Sequence, residues 1–151
     1  MLPADLINIM LDNMSMLIKE TGNTLYMTLV STFFAYMLAL PLGVVLVVTR
    51  EDGLYPLKSL YRLLDVIVNI GRSVPFLILL VAIQPLTVLI AGKSYGSTAT
   101  IVPLVVAATP FIARLIESSL QEVDHGVIEA AESMGASLPT IIFKVLIPEA
   151  K

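Results

Sequence analysis

The sequence predicts an all-α, polytopic membrane protein, and three observations carry that expectation. Hydrophobic residues make up 57% of the chain and charged residues only 14%, against roughly 45–50% and about 25% in soluble domains. The 12 acidic and 9 basic residues are bunched between long neutral stretches rather than spread to cover a water-facing surface. The basic residues are also unevenly divided between the two sides that those stretches define, as crossing a bilayer requires.

The same composition excludes several functions. There is no Cys and a single His125, so neither a disulfide framework nor a metal or catalytic cluster of those residues can be built. A net charge of −3 without a dense basic cluster argues against nucleic acid as a partner. The first 20 residues mix Asp5, Asp12, Lys19 and Glu20 into the apolar positions, unlike a signal peptide.

Residues 1–20 place Leu6, Ile9, Met10, Met14, Leu17 and Ile18 around a helix with Asp5 and Asp12 elsewhere. They read as an interfacial amphipathic helix or as a leader to the first span. No charge falls between Thr21 and Thr49. Residues 25–48 therefore form the first span, roughly 36 Å of helix at about 1.5 Å per residue against a hydrocarbon core of roughly 30 Å, which implies tilt. Along it Ser31, Ala35, Ala39 and Gly43 recur at every fourth position. Such a small-residue stripe admits close approach of another helix and is read as a packing face.

A second neutral run, Ser73 to Gly92, and a third, Ser94 to Ala113, are bounded by Arg72, Lys93 and Arg114. The spacing assigns residues 66–92 to the second span and 94–123 to the third with a cytoplasmic extension. Arg72, in NIGRSVPF at the cytoplasmic start of the second span, is favoured as an interfacial anchor over a gating or ion-pair group. Pro41, Pro75, Pro85, Pro103 and Pro110 lie inside the apolar runs. Their freed carbonyls bend the helices around something polar, such as a substrate path, unless they only reflect the frequency of proline in membrane helices.

Seven basic residues (Arg50, Lys58, Arg62, Arg72, Arg114, Lys144, Lys151) fall on one side of these spans and two (Lys19, Lys93) on the other. The first set is cytoplasmic by the positive-inside rule, which puts the N-terminus outside. Gly92-Lys93-Ser94 looks like the end of a phosphate-binding loop, but Thr87 stands where that loop needs its first glycine. Asp65 has no second intramembrane Asp, so hydrolysis within the membrane has no support; no catalytic residue is assigned.

After Arg114 the chain turns polar and acidic. The third helix is expected to run to about Val123 and to break at Asp124-His125-Gly126, after which VIEAAESM forms two helical turns. Gly135 occupies a left-handed cap position, and Ser137 opens another short helix with Pro139 in its first turn. Val127, Ala130 or Ala131, and Met134 share one face of the first short helix. Residues alone leave it open whether this is a surface loop or a helix that enters a partner's cleft.

Glu129-Ala130-Ala131, then Gly135, then Val145-Leu146-Ile147-Pro148 resembles the EAA loop of permease subunits from binding-protein-dependent ABC importers. The pattern there is EAA, three residues, Gly, nine residues, then Ile, any residue, Leu, Pro. Val145 for Ile and Ile147 for Leu are the departures. VNIGRSVPFLILL, ATPFIARLIESSLQEV and GVIEAAESMGAS are similar to the methionine-importer permeases in particular.

The resemblance implies that residues 124–149 are a cytoplasmic coupling segment, with Glu129, Ala130, Ala131, Met134 and Gly135 contacting a separate ABC ATPase subunit. It implies import of an amino acid, methionine in its D- and L-forms, by a permease homodimer served by a substrate-binding lipoprotein. No cofactor is then expected on this chain, since ATP and Mg bind the ATPase. The permeases that it resembles have five spans; three are present here, and the chain stops at Glu149-Ala150-Lys151 where the family continues into two more.

Overall fold

The computed structural model describes residues 4–150, and among them all regular structure is helical. The first helix, α1, runs unbroken over Ala4–Thr49. No proline precedes Pro41 within it, and Gly22 keeps helical geometry in open space, so nothing interrupts the backbone ladder between residue 4 and the first span. The separate interfacial helix expected over 1–20 is therefore replaced by a continuous extension of α1. The side chains of Asp5, Leu6, Ile9, Met10 and Asp12, on which the amphipathic pattern partly rests, lie outside the described residues, as do Met1 to Pro3 and Lys151.

A tight segment reverses the chain after α1. Tyr55 N donates to the Val48 carbonyl at 2.9 Å and Leu57 N to the Thr49 carbonyl at 3.0 Å, which satisfies helix-end acceptors that have no partner within the helix. The amphipathic α2 (Lys58–Ser73) follows. The region expected as the second span, 66–92, is divided between elements. Val74 (ψ 123°) and Pro75 (ψ 135°) are extended, and α3 (Phe76–Ala82) leaves at 106° to α2. Pro75 is the physical reason: it disfavours helical geometry in the preceding residue and lacks an N–H for the ladder. α4 (Gln84–Ala91) then ends on Gly92.

α5 (Ser97–Gln121) contains Pro103 and Pro110 and is the axis on which the rest packs. Gly43 of α1 lies against Ala113 and Ile116 of α5; a Cβ built on it would stand 2.7 Å from Ile116 Cγ2. One turn further, Val47 packs near Leu120, so α1 and α5 run in the same direction. Ser31, Ala35, Ala39 and Gly43 are all buried. α2 returns along the other side of α5, and Gly71 sits close enough to Pro110 that an added Cβ would lie 2.9 Å from its Cγ.

Among the described residues α1 and α5 are each long and apolar enough to cross a membrane, and the bent α2–α3 pair would make a third crossing if it is one span. Beyond α5 come α6 (His125–Ser133), α7 (Leu138–Ile141), a π-helical turn (Ile142–Leu146) and α8 (Ile147–Glu149). Leu120, Val123 and Leu146 form a buried cluster, with Val44, Val47, Ile116, Ile128, Ile147 and Ala150 packed on it. The segment after α6 is thereby tied back to the ends of α1 and α5.

Candidate coupling site

Two features converge at the end of α5 that carries Gln121. The first is a side-chain network between α2 and α5. Arg114 donates to Glu117 Oε2 at 2.6 Å, to Asp65 Oδ1 at 2.5 Å and to Asn69 Oδ1 at 3.0 Å. The Asn69 amide donates to Asp65 Oδ2 at 3.1 Å, while Tyr61 Oη and the Gln121 amide donate to Glu117 Oε1 at 3.3 and 3.2 Å.

Glu117 is only 2% exposed, so these bonds hold its charge in a poorly hydrated place. Burying a carboxylate is tolerated only when paired and hydrogen-bonded. The guanidinium fork serves two carboxylates at once, a geometry that a lysine could not reproduce. Arg114 Nε, by contrast, is buried without a partner among the described residues. The network leaves one carboxylate charge in excess of its single cation.

The sequence reading missed this network. Its local signals are the three-residue spacing of Arg114 and Glu117 and the four-residue spacing of Asp65 and Asn69, both same-face spacings on a helix. The bond that joins the two helices spans 49 residues and has no local signature.

The second feature is α6. Asp124 caps it with β-region backbone, its carboxylate accepting from Gly126 N at 2.7 Å. At the other end Gly135 has φ +77°; Gly135 N donates to the Glu132 carbonyl at 2.8 Å and Ala136 N to the Ala131 carbonyl at 3.1 Å. That pair of bonds is a Schellman closure, and its left-handed residue favours glycine. Ser137 then precedes α7, with its hydroxyl 2.9 Å from that of Thr140. Downstream the ladder widens: Ile147 N reaches the Ile142 carbonyl. Pro148 supplies no N–H for the Lys144 carbonyl, and such single π turns recur at functional sites.

The five residues implied by the resemblance are divided among three faces of this segment. Ala131 is 4% exposed and turns into the chain itself, while Ala130, Val127 and the 82%-exposed Met134 face outward. The choice between Ala130 and Ala131 for the outer face thus falls on Ala130. Glu129 lines, with His125, Ile128 and Glu132, a cavity of about 340 Å³ whose far wall includes Arg50 and Asp52. Gly135 is exposed and sets the exit of the helix. No group of three or more His, Cys, Asp or Glu side chains among the described residues could hold a metal ion.

An all-helical membrane fold that ends in this capped helix and its return segment defines a class of transport component. The chain belongs to the family of binding-protein-dependent transport system inner membrane components, whose sequence profile matches residues 39–151; it is a multi-pass inner-membrane protein. It is 53% identical over 138 residues to the probable D-methionine transport system permease protein MetI of Vibrio cholerae, covering 91% of this chain and 61% of that one. To the D-methionine transport system permease protein MetI of Escherichia coli K12 it is 50% identical over 137 residues, covering 91% and 63%.

Among solved structures it is similar to an inward-facing form of the MetNI methionine ABC transporter, with a TM-score of 0.89 and 50% identity over 91% of this chain and 63% of that one. A more distant likeness, with a TM-score of 0.56 and 25% identity, is to an amino acid ABC transporter with histidines. The chain spans 61–63% of the length of the two named relatives.

Proposed function

We propose that this chain supplies the membrane-spanning permease part of an ATP-driven amino-acid importer, with methionine, in D- and L-form, as the solute. It forms part of the translocation path and transmits motion from a separate ATPase subunit that binds ATP and Mg; it makes no covalent bonds itself. Two permease copies form the path, a substrate-binding lipoprotein delivers the solute on the outer side, and lipid surrounds the apolar helices. The N-terminus is outside and α6 is cytoplasmic.

The observation that carries this reading is α6 itself: a short helix capped at both ends, rooted through Leu120, Val123 and Leu146 in the same core that closes α1 and α5, presenting Val127, Ala130 and Met134 outward. A helix that is rigid, exposed on one face and fixed to the spans on another is suited to convey displacement. The relatives named for methionine transport support the choice of solute.

The experiment is co-expression of the permease with its cognate ATPase, followed by affinity purification and reconstitution with the binding protein. Stable co-purification and ATP-dependent methionine uptake are expected. An ATPase that fails to co-purify, or uptake that proceeds without ATP, overturns the proposal.

A further inference from the structure

We infer that the elbow between α2 and α3 is a subsite on the translocation path that takes the α-carboxylate of the solute through Arg72; this rests on the importer reading above. At the 106° bend lies an open concavity of about 620 Å³, lined among others by Asn69, Arg72, Ser73, Phe76, Ala107 and Phe111. That volume lies within the usual range for small-molecule sites. Gly71 packs on Pro110, which fixes the depth of the elbow at about 20 Å along α5 from Ser97, at about 1.5 Å per residue. The elbow thus lies within a hydrocarbon layer of roughly 30 Å measured from that end.

Irregular backbone at such a depth persists only where protein buries it or a wet cavity faces it. Pro75 brings no N–H to the Gly71 carbonyl, so the ladder ends with open acceptors. Arg72 forms no salt bridge among the described residues, although Arg50, Lys58 and Arg114 all do, and no acidic side chain lines the cavity. The residues that carry an unpaired guanidinium, the carbonyls at the end of the α2 ladder and the rings of Phe76 and Phe111 line one concavity. Their chemistry matches the carboxylate, the ammonium and the apolar side chain of an α-amino acid. Asn69 joins the cavity to the coupling site: its carbonyl oxygen accepts from Arg114 and its backbone carbonyl from Ser73 Oγ.

The competing role for Arg72 is a lipid-headgroup anchor, and lysine separates the two. Lysine keeps the charge and the snorkelling stem but loses the planar fork that matches a carboxylate. In proteoliposomes carrying the complete permease, ATPase and binding protein, Arg72→Lys is expected to lower L-methionine uptake ten-fold or more at unchanged membrane yield and ATPase co-purification. Uptake within two-fold of the unaltered complex overturns the inference.

Residues 1–151 contain no Cys, so Ser73→Cys, in a complex whose other cysteines are replaced by serine, provides a single thiol at the concavity as a second measurement. During turnover L-methionine should slow its maleimide labelling at least three-fold, and methioninamide, which lacks the carboxylate, should not; equal labelling in all conditions overturns the subsite. If the unaltered complex carries another amino acid and not methionine, the solute assignment falls, and both arms run with that amino acid still decide the role of Arg72. An unaltered complex that carries no amino acid removes the importer reading and the subsite together.

Discussion

Glu117 is buried to 2% exposure, and among the described residues its carboxylate has one cation within bonding distance, Arg114. Removing that cation leaves Glu117 and Asp65 facing each other across α2 and α5 without compensation. Arg114→Leu is therefore expected to lower stability by about 3–5 kcal/mol, the usual loss when a buried pair is broken from one side. Asp65→Asn should be much milder, because the Asp65 side chain is 30% exposed and the Arg114–Glu117 pair survives it. Thermal unfolding of the detergent-solubilised complex checks the order; equal shifts for the two variants would refute it. Gly135 is the other residue with a specific demand, since φ is +77° there. Gly135→Ala should destabilise the α6 exit by on the order of 1 kcal/mol and Gly135→Val by more, read as faster protease nicking of the segment after Ser133.

For whole elements, α6 shows both how far sequence reasoning reaches and where it stops. Its exit was legible because that cap is local, Gly135 closing the helix through bonds to neighbours within five residues; its start lies at His125, inside the break expected at Asp124-His125-Gly126, because Asp124 caps the helix through Gly126 N. Its rotation was not legible, because which of Ala130 and Ala131 faces inward follows from how α6 docks on the chain, and that docking runs through Ile128 onto Leu120, Val123 and Leu146 of other segments. The two alanines therefore make a paired test. Ala131→Trp overfills an interior contact and should lower stability by roughly 1–3 kcal/mol. Ala130→Trp should leave thermal stability within about 0.5 kcal/mol and instead weaken co-purification with the ATPase. Identical behaviour of both would refute the assignment of faces. The region expected as the second span, 66–92, was legible as an apolar run with Pro75 inside it; the 106° angle at that proline was not, because it is set together with the bonds that hold α2 to α5.

In the whole molecule, parallel α1 and α5 with α2 folded alongside leave the 50–57 connection and α6 at one end and the 92–96 connection at the other. On the topology proposed above, which follows the positive-inside rule, the first end is the cytoplasmic one. The absence of Cys makes this directly testable: in Lys58→Cys an impermeant maleimide should react only from the cytoplasmic side, and in Lys93→Cys only from outside. Reaction of both from one side would refute the topology. Composition and run length made the membrane class legible at once. The network that fastens α2 to α5 stayed hidden because its partners stand 49 residues apart. That separation is also an interval of time. Synthesis at about 5–20 residues per second brings Asp65 out of the ribosome about 2–10 s before Arg114 emerges. Through that interval the polar stripe of α2 has water and headgroups as its partners, which favours a helix lying flat at the membrane surface. Arrival of α5 then provides the guanidinium that α2 bonds to, so the order of translation sets the order in which that end of the fold can close.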